Sequence, residues 1–93
     1  MTVTIDEQLA TLRACFDDVD DAIIKLLATR QRLSDQAGVL KKVVGRPVRD
    51  DVREAHAAAR RRITAKAAGA DPNVVAALFD VLVTASRERQ ERL

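Results

Sequence analysis

From Leu9 onward the chain repeats apolar side chains at steps of three and four residues: Leu9, Leu12, Phe16, Val19, Ile23, Leu26, then Leu33, Ala37, Leu40 and Val44. Arg30 occupies the one place where that pattern wants another apolar residue. The spacing writes a single long helix with a continuous seam along one side. A guanidinium stays charged at every accessible pH, and taking it out of water costs several kcal/mol unless partners compensate. The seam is therefore expected to open onto an anion at Arg30.

Thr4 followed by Glu7 has the form of a capping box, and no Gly or Pro interrupts the seam before Gly38, so the first helix is placed at about residues 5 to 43. Gly38 weakens that helix locally without ending it. Gly45, Arg46 and Pro47 form a joint, because Pro47 lacks a donor and disfavours helix at Arg46. A second helix is expected from Asp50 or Asp51 to about Ala68, with acidic residues in its first turn and Gly69 suited to a left-handed cap. Asp71 and Pro72 then read as the N-cap and first residue of a third helix that runs to near the C-terminus, with Val75, Leu78, Phe79 and Leu82 as its apolar face.

The fold expected is all-α, with three helices in a single domain over residues 1–93. A chain of 93 residues is near the size at which a lone hydrophobic core is only marginally adequate, and Phe16 and Phe79 are its only aromatic residues. The first helix would be roughly 57 Å long, beyond the width of a compact domain of this size, so two shorter helices cannot cover its seam. A homodimer in which the long helices of two chains pack together would bury it. A plain antiparallel coiled coil or bundle without a ligand has the same periodicity.

Charge and cysteine content narrow the function classes. The formal net charge is +2, with both signs mixed along the chain, which does not mark a nucleic-acid-binding surface. A single cysteine, Cys15, allows no intrachain disulfide and no thiolate metal cluster, and is read as a small apolar residue. His56 has no neighbouring ligand set, so no metal is expected. There is no signal-peptide pattern and no apolar run of membrane-spanning length, which favours a cytoplasmic protein.

Polar residues recur where apolar ones are expected. On the third helix the stripe Val75, Phe79, Leu82 continues into Ser86 and Gln90, four residues apart and on one face. Lys41 lies eleven residues after Arg30, a rotation of about 20° and a rise of roughly 16 Å, so both long side chains can reach one small ligand. Asp50 and Glu54 are four apart at the start of the second helix, with Arg53 beside Glu54; both carboxylates also suit a helix start for its dipole alone. Arg13 is seventeen residues before Arg30, roughly 25 Å along one helix, too far to grip the same metabolite unless it comes from the other chain of an antiparallel dimer. The run Arg60, Arg61, Arg62 reads as a solvated face.

These residues at these spacings resemble the all-helical chorismate mutase family, without a gap from about Leu12 to Gln90. The segments that carry the resemblance are Leu12-Arg13 with Val19-Asp20, Ile24 to Arg30, Gly38 to Lys41, Arg46 to Glu54, Leu78-Phe79, and Ser86 with Gln90. The resemblance implies an intertwined dimer of three-helix chains and an isomerase that rearranges chorismate to prephenate in aromatic amino acid biosynthesis, with no cofactor, metal or covalent intermediate. It also implies that Arg30 and Arg13 from the second chain bind the two substrate carboxylates, with Ser86 assisting. Lys41 and Gln90 would donate to the ether oxygen, Glu54 and the backbone at Asp50 would hold the ring hydroxyl, and Arg53 would orient Glu54.

A unimolecular pericyclic step needs a compact conformer and charge stabilisation, not proton transfer. Even modest enzymatic acceleration takes about 8 kcal/mol off the barrier, and charge-assisted hydrogen bonds contribute roughly 1.5–3 kcal/mol each, so a handful of fixed donors plus conformational restriction suffices. Three other outcomes fit the same helices. Rearrangement of 4-amino-4-deoxychorismate is one, since Glu54 accepts from an amine as readily as from a hydroxyl, and pyruvate elimination from isochorismate is a second. The third, non-enzymatic, is a helical domain that dimerises with or regulates a biosynthetic partner. Feedback regulation, partner enzymes and metabolic context leave no mark in the sequence.

Overall fold

A computed structural model of the chain describes residues 2–93. Among these residues the structure is three helices with no strand: α1, Ile5–Val44; α2, Asp51–Ala68; and α3, Pro72–Glu91. The chain divides into two compact units, Met1–Arg32 and Leu33–Leu93, with α1 running through the boundary.

The first unit holds the N-terminal part of α1. Thr4 starts the helix as expected: its Oγ1 accepts from the Glu7 N–H at 3.0 Å, and its carbonyl takes the Gln8 N–H at 3.0 Å. The seam here is exposed in the single chain, with Leu12 at 56%, Phe16 at 67% and Leu26 at 69% of full exposure.

The second unit contains the end of α1 and both shorter helices. Gly45 adopts φ 71°, and the Arg46 N–H turns back to the Lys41 carbonyl at 2.8 Å, a Schellman ending that only a residue free of Cβ strain forms readily. Asp50 caps α2 through its carboxylate and Asp71 caps α3 in the same way ahead of Pro72. Each boundary follows from a local side-chain-to-backbone bond.

Packing in this unit uses a face of α1 that the seam does not predict. Ser34 and Gly38 are buried and Lys41 is half-buried, whereas the seam residues Leu33 and Leu40 remain 59% and 65% exposed. The inward set lies one residue on from the seam, about 100° round the helix. Gly38 permits the approach of α3: a Cβ there would stand 2.7 Å from Leu93 Cδ1 and 2.8 Å from Gln90 Cγ. Ala65 is the only buried hydrophobic residue among those described, so the single chain leaves most of its aliphatic surface uncovered.

Candidate active site

The C-terminal part of α1 and the end of α3 bring Lys41 and Gln90 together. Lys41 Nζ donates to Gln90 Oε1 at 2.8 Å and to the Val48 carbonyl at 2.9 Å. On its other side Gln90 Nε2 donates to the Ser34 carbonyl and to Ser34 Oγ, both at 3.0 Å. The amide has only one workable orientation, because an ammonium can only donate and a backbone carbonyl can only accept. Gln90, expected from the sequence to donate to a ligand, has both amide hydrogens directed at Ser34. An ammonium carries three hydrogens and the two bonds formed use two, so Lys41 keeps one donor for a ligand.

Val48 reaches this cluster because the Gly45–Pro47 joint reverses the chain just after Lys41. A cleft of about 370 Å³ opens beside the joint, lined by Lys41, Arg46, Arg49 and Asp50 among others. Asp51 lines it as well, so three cations face two carboxylates and the balance stays positive, which suits an anionic ligand. Asp51 nearby is held by Arg49 at 2.7 Å and by Arg87 from α3 at 3.9 Å. The Arg49 hydrogen bond holds the Asp51 carboxyl below its ordinary value, against an opposing desolvation.

Asp50 is committed locally: its carboxylate accepts from the Arg53 N–H at 3.0 Å and its carbonyl accepts from the Glu54 N–H at 3.0 Å. Its capping role is therefore directly visible. Glu54, half-buried on α2, pairs with Arg61 two turns later, not with Arg53, whose side chain is exposed. Arg61 also lies over the Phe79 ring, with its guanidinium carbon 4.5 Å from the centroid. Expected as part of a solvated basic face, Arg61 instead has a side chain only 15% exposed. Arg61, and not Arg53, is the cation that pairs with Glu54 in the single chain.

Ser86 is half-buried on α3, one helical turn before Gln90. Arg30 is half-buried and Arg13 exposed on α1 within the first unit. Beneath Gln90, Arg89 grips Asp35 through two bonds, Nε to Oδ1 at 3.0 Å and Nη2 to Oδ2 at 2.6 Å. That fork lowers the Asp35 pKa, chiefly through its hydrogen bond, and raises that of Arg89. No group of metal-binding side chains occurs among the described residues, and no helix there is long and apolar enough to cross a membrane.

Sequence reasoning passed over Ser34, Val48 and Arg61. Glu54 and Arg61 are seven residues apart, two turns on one helical face, and that spacing was an available signal. Val48 contributes only a backbone carbonyl, which no side-chain pattern reveals.

Residues 12–91 match the chorismate mutase type II family. A chorismate mutase of Methanocaldococcus jannaschii is 30% identical over 86 residues, covering 92% of this chain and 87% of that protein. The T-protein of Enterobacter agglomerans is 38% identical over 81 residues; the match takes in 87% of this chain but spans 21% of that longer protein. A family match over most of the length, a relative of nearly the same extent, and an all-helical fold with a 40-residue first helix agree: this chain belongs to the chorismate mutase type II family.

Proposed function

We propose that the chain is a chorismate mutase, an isomerase that converts chorismate to prephenate by Claisen rearrangement in the formation of aromatic amino acids. The observation that carries this reading is the Lys41–Gln90 contact, joined across two helices at 2.8 Å inside the family-matched region. A pericyclic step breaks a carbon–oxygen bond and forms a carbon–carbon bond without a nucleophile or base. The protein must fold the substrate into a compact conformer and stabilise the negative charge that grows on the ether oxygen.

In this reading the remaining Lys41 hydrogen meets the ether oxygen, and Gln90 holds the ammonium on target. Fixed in advance by Val48 and Gln90, Lys41 needs little reorganisation as charge develops. Arg30 and the partner subunit's Arg13 bind the two carboxylates, with Ser86 assisting one of them, and Glu54 accepts from the ring hydroxyl beside the Asp50 backbone. The residues work as one catalytic domain in a homodimer. Support for the dimer comes from the exposed seam of α1 and from Ala65 being the sole buried hydrophobic among the described residues; pairing two chains along the seam would remove that surface from water.

The test is to offer chorismate, isochorismate and 4-amino-4-deoxychorismate separately and to identify products by chromatography. Prephenate from chorismate is the expected result. Absence of turnover on all three would overturn the enzyme reading.

A further inference from the structure

Glu54 is not an open carboxylate. Its side chain is 31% exposed, and one oxygen is taken by Arg61, whose own side chain is 15% exposed. Arg61 is fixed from a second direction by the Phe79 ring of α3, 4.5 Å below its guanidinium. A cation held between an α2 carboxylate and an α3 ring is not a mobile surface charge. In the single chain it stands directly against Glu54.

The consequence is chemical. An ionised carboxylate has two oxygens and about four acceptor sites, so pairing one oxygen with Arg61 leaves the other able to accept a hydrogen bond. The net charge of the pair, however, is zero. A neutral hydroxyl needs only the acceptor and loses nothing. An ammonium gains most of its attraction from uncompensated negative charge, and here it would also approach a guanidinium of its own sign.

We propose that Arg61 is a specificity-determining residue: by neutralising Glu54 it makes the ring-binding end accept a hydroxyl-bearing dicarboxylate and disfavour the analogue that carries an ammonium at the same carbon. The inference rests on the reading of Glu54 as the acceptor for the ring substituent. It adds a residue outside the expected site and selects between two substrates that Glu54 alone does not separate.

The experiment compares kcat/KM for chorismate and for 4-amino-4-deoxychorismate in the wild type, Arg61→Gln, Arg61→Lys and Glu54→Gln. The wild type is expected to prefer chorismate by at least about tenfold. Arg61→Gln should narrow that preference by about tenfold, mainly through a lower KM for the amino substrate, and Arg61→Lys should retain it. Glu54→Gln, which leaves Arg61 uncompensated, should widen the preference, and it tests the idea even if Arg61→Gln fails to fold. An unchanged ratio in Arg61→Gln or Glu54→Gln beside measurable chorismate turnover overturns this inference alone, as does equal loss on both substrates. A wild type inactive on both substrates overturns the mutase reading, and this inference with it.

Discussion

Gln90 directs both of its amide hydrogens at one residue, Ser34, reaching the hydroxyl and the backbone carbonyl over 3.0 Å each. Ser34 is the one buried polar residue among those described, and this pairing explains why a hydroxyl is tolerated there. The bond to the carbonyl survives any substitution that keeps the helix, whereas the bond to Oγ does not. Ser34→Ala therefore removes one of two restraints on the amide, worth about 0.5–1.5 kcal/mol for a neutral hydrogen bond. The expected outcome is a fall of roughly two- to tenfold in kcat/KM for chorismate, with the fold retained by circular dichroism. Unchanged kinetics would mean that the backbone carbonyl alone fixes Gln90.

Gly38 makes a second claim on the same side chain. An added Cβ would meet Leu93 Cδ1 at 2.7 Å, Gln90 Cγ at 2.8 Å and Gln90 Cβ at 3.2 Å. The leucine tip can swing away and Gln90 Cγ can turn about χ1, which pulls the amide off Ser34 and Lys41, but Gln90 Cβ moves only with α3. Alanine also gains up to about 1 kcal/mol of helix propensity over glycine, which offsets part of the clash. Gly38→Ala is thus predicted to leave the thermal midpoint within a few degrees while lowering kcat/KM by about tenfold or more. Thermal melts run beside steady-state kinetics check both halves, and a variant with full activity would show that the contact is not limiting.

The helix ends were legible in the sequence because each is decided by neighbours within a few residues. Thr4 with Glu7, Asp71 with Pro72, and Gly45 at the joint all state their role locally, and the structure shows α1 at Ile5–Val44 and α3 at Pro72–Glu91. The inward face of α1 was not legible, since Leu33 and Leu40 advertise burial more strongly than Ser34, Gly38 and Lys41 do. Only the close approach of α3 selects the weaker-looking face. Arg61 was hidden for the same reason: three consecutive arginines resemble a solvated surface until Phe79, eighteen residues on, is placed beneath the middle one. Local chemistry was readable; across helices, Lys41 and Gln90 were grouped from the sequence, whereas Ser34 with Gln90 and Arg61 with Phe79 were not.

The fork between Arg89 and Asp35 gives the protein a pH dependence of known sign. Asp35 has a lowered folded-state pKa, first because of the Arg89 hydrogen bond. A depressed carboxyl stabilises the fold fully above its unfolded value, about 3.9, and loses that contribution as pH falls through the lower folded value. Asp35→Asn should therefore be less stable than the wild type at neutral pH, and the two should converge as pH drops from about 4 towards 2. Asp51, lowered by Arg49, leaves some acid sensitivity in the variant. Both pairs are solvent-accessible, so added salt should shrink the difference. Urea midpoints measured across that range check the sign, and a gap that grows on acidification would refute it.

The exposed α1 seam leads to a prediction about how sites are shared. If each site takes Arg30 from one chain and Arg13 from the other, an Arg13→Ala homodimer and an Arg30→Ala homodimer both lack an arginine in every site. Unfolded together and refolded in equal amounts, the two chains pair at random, so about half of all dimers are mixed. In a mixed dimer one site combines the intact Arg30 of the first variant with the intact Arg13 of the second, while the other site carries both lesions. One restored site in half of the dimers gives about one quarter of wild-type activity, well above either variant alone. Phe16→Glu, placed where the seam is 67% exposed in the single chain, should abolish that recovery by preventing pairing, and sedimentation should show the monomer. Recovery of no activity from a mixture that sediments as a dimer would place Arg13 outside the shared site.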